Sequence, residues 1–150
     1  MFGIFKRPPP SRTLLSHSES ITGYRQSPDS RWIASCSPKE IRIWDLLTGE
    51  QRGEPIVIEE GVLEYRIRFG PKGKVLAIPR KDGYVDVFDL STNELHSEVF
   101  QIDMPMQGLE FSPDGQWFVA VSGKQSKIWN FETRELVSRL SWIWNQKVLR

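Results

Sequence analysis

SPDSRWIASCSPKEIRIWD, residues 27–45, is one copy of a pattern that the chain writes three times. Its opening marker, Ser27-Pro28-Asp29-Ser30, returns as Gly70-Pro71-Lys72-Gly73 and Ser112-Pro113-Asp114-Gly115, at steps of 43 and 42 residues. Its closing marker, Ile43-Trp44-Asp45, returns as Val87-Phe88-Asp89 and Ile128-Trp129-Asn130, at steps of 44 and 41. Two markers that keep one period define a structural repeat. A period near 40–45 residues containing only short apolar runs is that of a unit of about four strands.

Each unit reads the same way around its markers. In the first, Ile21 to Gln26 alternates as a strand, the Ser27 marker is a turn in which Pro presets φ, and Trp32-Ile33-Ala34-Ser35 is an apolar central strand. Ser37-Pro38-Lys39-Glu40 turns into the strand Ile41 to Asp45, and Thr48-Gly49 closes the hairpin to an outer strand at 55–58. The second unit uses Val62 to Phe69, Val75 to Ile78, Tyr84 to Phe88 and Leu95 to Ile102. The third uses Met106 to Phe111, Trp117 to Val121, Ser126 to Phe131 and Leu136 to Leu140. Arg134 stands where the other last hairpins have Gly49 and Asn93, so that turn should be strained or differently shaped. The expected fold is all-β: three four-stranded antiparallel blades of a partial, unclosed β-propeller, since closed rings need about four or more blades. The segments are a flexible N-terminal tail at 1–11, propeller units at about 16–58, 59–102 and 103–142, and a C-terminal tail or extra strand at 143–150. Arg12 to Leu15 is read as a further short strand.

Composition bounds the function. The chain has 150 residues, 39% apolar, with a net charge of +1, so nothing electrostatic calls for nucleic acid or a membrane surface as the partner. Cys36 is the single cysteine, which excludes an internal disulfide and a cysteine-based zinc site. No apolar run approaches a membrane span and the first residues do not read as a secretory signal, so a cytoplasmic location is expected. His17 and His96 are far apart, and no metal-ligand spacing, nucleophile elbow or phosphate-binding glycine loop is present. Neither a cofactor nor a metal is expected. Glu59 and Glu60 are adjacent in sequence and would point apart on a strand.

The residues Ser16-His17, Ser27-Pro28-Asp29-Ser30, Ile33-Ala34-Ser35 and Ile43-Trp44-Asp45 resemble a WD repeat, and the resemblance covers residues 12–140. It implies that a His, a Ser, a middle-turn Asp and the Trp of each unit form a buried hydrogen-bond chain. The first unit matches with His17, Ser35 and Trp44 but offers no Asp in its shorter middle turn. The second matches only with Asp82, the other positions holding Glu60, Ile78 and Phe88. The third matches only with Trp129, with Ile102 and Ala120 at the His and Ser positions. These matched residues are assigned structural roles, and Trp32, Trp44, Trp117 and Trp129 are assigned to the core. The resemblance further implies a rigid platform for proteins or peptides, using loops at 16–20, 37–40, 59–61, 79–83, 101–105 and 122–125. Lys39, Arg80, Lys81 and Lys124 form the candidate protein-binding cluster, four cations on equivalent turns that suit an acidic segment. The expected function is a non-catalytic protein-interaction scaffold, with a second copy or another propeller chain as a partner that completes the ring. The alternatives are a structural or vestigial part of a larger propeller with no ligand of its own, and a propeller enzyme.

Overall fold

The structure, a computed structural model, describes residues 17–123 and 125–141. They form three four-stranded antiparallel sheets in chain order, the blades of an unclosed propeller. Sheet 1 holds β1 (Gly23–Gln26), β2 (Trp32–Cys36), β3 (Glu40–Asp45) and β4 (Gln51–Val57). Sheet 2 holds β5 (Arg68–Phe69), β6 (Val75–Pro79), β7 (Tyr84–Asp89) and β8 (Glu94–Gln101), and sheet 3 holds β9 (Met106–Phe111), β10 (Trp117–Ser122), β11 (Gln125–Asn130) and β12 (Leu136–Ser141). Within each sheet every strand pairs with the next in sequence, and β1, β5 and β9 lie side by side.

Alternation along the strands explains the stacking. Trp32, Ala34, Cys36, Ile41 and Ile43 point from sheet 1 to sheet 2 and pack against Phe69, Leu76, Ile78, Phe88 and Leu90. The opposite face of sheet 2, with Ala77, Val85, Val87 and Phe100, packs against Leu109, Phe118, Ala120 and Trp129 of sheet 3. Phe100 and Phe118 lie 4.8 Å apart, ring to ring, and Phe100 and Trp129 5.3 Å. Burial in the first cluster pushes the Cys36 thiol up to about 12, which leaves it inert.

Two expectations are corrected here. The second inner strand does not run from Val62 to Phe69: Glu64–Arg66 form a 3-10 turn, and β5 is left with two residues. Val62 and Ile67 are both fully buried in the same cluster, yet an odd spacing of five would send them to opposite faces of a straight strand. The turn resets the phase so that both face inward. Trp117 is only half buried, unlike Trp32, Trp44 and Trp129. It lies with Val119 and Val121 on the face of sheet 3 that points away from sheet 2, and all three are half buried. The expected strand at Arg12 to Leu15 and the tail from 142 onward lie outside the described residues.

The marker turns also touch across the blades. A Cβ built on Gly73 would meet the Asp29 carboxyl group at 3.0 Å, and one on Gly115 would meet Pro71 Cγ at 3.2 Å. Each turn therefore presses into the glycine of the next.

Candidate interaction surface

The turns between second and third strands, together with the links from one sheet to the next, gather at one end of the sheets. Backbone hydrogen bonds knit them into a rim. Ile58 N–H donates to Lys39 O at 2.8 Å, Val62 N–H to Pro38 O at 2.7 Å, Lys81 N–H to Gly61 O at 3.0 Å and Ile102 N–H to Gly83 O at 2.8 Å. The first middle turn, the first link, the second middle turn and the second link are thereby fixed in succession.

In the first unit the structure brings together His17, Ser35 and Trp44. Trp44 Nε1–H donates to Ser35 Oγ at 2.8 Å, and Ser35 Oγ lies 2.6 Å from His17 Nε2. With the Ser35 oxygen accepting from Trp44, its hydroxyl proton is free to go to His17 Nε2, which assigns the ring proton to Nδ1. That nitrogen faces Ser37 Oγ at 3.4 Å and a Glu40 carboxylate oxygen at 3.6 Å. Glu40 is buried, accepts from Ser18 Oγ at 3.0 Å and pairs with Arg42. A carboxylate that the middle-turn reading missed thus stands beside the histidine, placed one residue before the alternating run Ile41-Arg42-Ile43. Burial, the largest influence, and Arg42 hold the His17 pKa below its ordinary 6.5, against the pull of Glu40.

In the second unit Asp82 pairs with Arg80 through two of its guanidinium nitrogens. Arg80 is not an exposed cation: it is 4% exposed and also faces Asp86 at 3.3 Å and Glu60 and Glu98 at 3.6 Å each. Asp86, 2% exposed, accepts the Glu98 backbone N–H at 2.7 Å as well. The Asp82 hydrogen bonds most of all, with the charges of Asp86 and Glu60, raise the Arg80 pKa against the opposing effect of burial, and Arg80 in turn holds Asp82 below the usual carboxylate range. The expected four-cation cluster is therefore corrected. Lys39 is exposed beside Glu59 at 3.5 Å, Lys81 is exposed, Arg80 is enclosed, and Lys124 lies outside the described residues. The rim is mixed in charge, because the carboxylates that enclose Arg80 come from the link, the turn and two strands of the same unit.

Trp129 of the third unit is buried among Phe100 and Phe118. Its neighbour Lys127 reaches Asp103 at 3.1 Å and Gln101 O at 3.3 Å. Arg42, Asp86 and Lys127 occupy the same position of β3, β7 and β11, and each meets an opposite charge near the rim. A charge two residues before the closing Trp or Phe of each third strand was the sequence signal for this. Among the described residues no group of three His, Cys, Asp or Glu side chains could hold a metal ion, and no helix is long and apolar enough to cross a membrane.

A family model described as WD domain, G-beta repeat matches residues 8–45 and 91–130, more than half of the chain. Among curated proteins, the U3 small nucleolar RNA-associated protein 21 of Saccharomyces cerevisiae is 37% identical over 73 residues, 48% of this chain and 8% of that protein. The small ribosomal subunit protein RACK1 of Caenorhabditis elegans is 24% identical over 127 residues, 83% of this chain and 38% of that protein. The chain thus spans much less than two thirds of either relative. Among solved structures, that of U3-55K superposes with a TM-score of 0.71 over 87% of this chain and 42% of that one, at 21% identity, a likeness of fold.

Proposed function

The chain belongs to the WD domain, G-beta repeat family, and we propose that it acts as a non-catalytic protein-interaction scaffold whose partner is received on the rim of middle turns and links. The observation that carries this reading is the run of backbone hydrogen bonds from Lys39 to Ile102. A surface already fixed before encounter loses little conformational entropy on binding, which favours association. The names of two relatives, a ribosomal subunit protein and a small nucleolar RNA-associated protein, support a role inside a larger assembly.

Lys39 and Lys81 are the exposed cations of this rim among the described residues, and they are where an acidic partner segment would be met. Arg80 is unsuited to testing binding, because removing one member of a buried ion pair costs about 3–5 kcal/mol of stability. The test is capture of partners by the unaltered chain and by a Lys39→Glu/Lys81→Glu chain, with the captured proteins identified by mass spectrometry. The expected outcome is loss of a partner at unchanged melting temperature. Equal capture by both chains would remove the rim lysines from the reading.

A second reading has its own observation. Trp117, Val119 and Val121, the outward row of sheet 3, match Trp32, Ala34 and Cys36, the row that sheet 1 buries against sheet 2. On this reading the chain completes a larger propeller and carries no separate ligand.

A further inference from the structure

At the end of the sheets opposite the rim, the second unit departs from the other two at one position. Trp32 opens β2 and Trp117 opens β10, but Val75 opens β6. Between sheets 1 and 2, Trp32 is buried with Phe69 and Leu90, and the guanidinium groups of Arg31 and Arg52 each lie 4.7 Å from its ring centroid. Between sheets 2 and 3, Phe111 and Phe131 stand at the places of Phe69 and Leu90, their rings 4.9 Å apart. Val75 does not reach as far as an indole, and a cleft of about 170 Å³ is left between Gly70, Val75, Phe111 and Phe131. Apolar cavities of about 150 Å³ admit a single aromatic ring. Lys72 and Lys74 stand at its mouth, and Lys74 holds the place of Arg31, the cation set over Trp32. Asp114, also at the mouth, is engaged by Ser112 Oγ at 2.6 Å and Gln116 N–H at 3.0 Å.

We propose that this cleft receives the aromatic side chain of a partner peptide, tryptophan above all, with carboxylates flanking it to meet Lys72 and Lys74. The chain's own Trp32 shows what the site holds one blade earlier: a ring between an aromatic wall and a cation, an arrangement favoured by the ring quadrupole. The proposal rests on the interaction-scaffold reading in taking a peptide as the ligand, but it uses a different surface from the rim.

The test titrates the isotopically labelled chain with the peptide acetyl-Asp-Trp-Asp-amide, and with acetyl-Asp-Ala-Asp-amide for comparison, following amide resonances. The expected result is saturable shifts at Gly70, Lys74, Val75 and Gly115 with the tryptophan peptide alone. Val75→Trp places an indole in the cleft from within, so it should weaken the peptide at least about tenfold and raise the melting temperature. Lys74→Glu should weaken it at least about threefold with the melting temperature unchanged. Shifts elsewhere, equal response to both peptides, or undiminished binding by Val75→Trp would overturn the proposal. So would a Val75→Trp chain that melts lower, since the cleft then has no room for an indole. Binding that emerges only in a Trp142→Ala/Trp144→Ala chain would make this chain's own tail the occupant and overturn the partner. The Lys39→Glu/Lys81→Glu chain should bind the peptide normally, so failure at the rim and failure at the cleft are read separately.

Discussion

Ser35 Oγ serves two rings at once, taking a hydrogen bond from Trp44 and meeting His17. The second unit keeps neither the serine nor the tryptophan: Ile78 and Phe88 stand at those positions, both buried. Replacing both partners of a hydrogen bond by apolar groups is nearly neutral, whereas removing one leaves a buried polar group at a cost of about 1–3 kcal/mol. That asymmetry accounts for the paired replacement in the second unit, whereas the third keeps Trp129 with Ala120 at the serine position. His17 also makes stability depend on pH. In the folded chain its pKa lies below 6.5, so the unfolded chain takes up the proton first as pH falls. The stabilisation is complete above about pH 6.5 and is lost on descending from there towards the folded pKa. The lowered carboxylates, Asp29, Glu40, Asp82, Asp89 and Asp114, act in a lower window, losing their contribution as pH falls below about 4. Urea unfolding at pH 7, 6 and 5 should therefore show stability falling as the pH is lowered, and a His17→Gln chain should show a flatter dependence over that interval. Parallel slopes would mean that His17 titrates alike in both states.

The last hairpins show how one element absorbs different residues. Asp45, Asp89 and Asn130 each cap their turn by accepting two backbone N–H groups through Oδ1, and each carbonyl accepts the N–H of the residue four further on. The fourth residue is left-handed in all three: Gly49 at φ 72°, Asn93 at 63° and Arg134 at 63°. The third turn is strained rather than reshaped, because Asn130 still imposes the cap. Arg134→Gly should stabilise the chain by about 0.5–1 kcal/mol, the relief of the left-handed strain less the backbone entropy of glycine. An unchanged denaturation midpoint would show that the turn relaxes elsewhere. The turns and central strands were legible because each is marked by local chemistry, Ser-Pro-Asp or Trp-Asp. The inner strand of sheet 2 was not, since the alternation of Val62 to Phe69 hides a phase slip that only the burial of both Val62 and Ile67 reveals. Nor could the setting of Arg80 be read, because its partners at 60, 82, 86 and 98 are joined only by folding.

The molecule as a whole is an arc with two unlike ends. Sheet 1 turns its histidine, serine and tryptophan away from sheet 2, while sheet 3 turns Trp117, Val119 and Val121 away from it. A ring made from two copies would bring those surfaces together, and it would bring the partner's third marker turn onto the first. Light scattering should accordingly give the mass of one chain, 17.4 kDa, across concentrations. A stable mass of twice that would show that the junction forms. The reason for expecting one chain lies in the glycines of the marker turns. Gly73 and Gly115 are hollows into which the preceding turn presses, but the first turn has Ser30 there, at φ 58°, with a side chain where the hollow should be. The arc therefore has unlike ends at its marker turns: the last still offers a tooth for another blade to engage, and the first would meet a neighbour with the Ser30 side chain instead of a hollow.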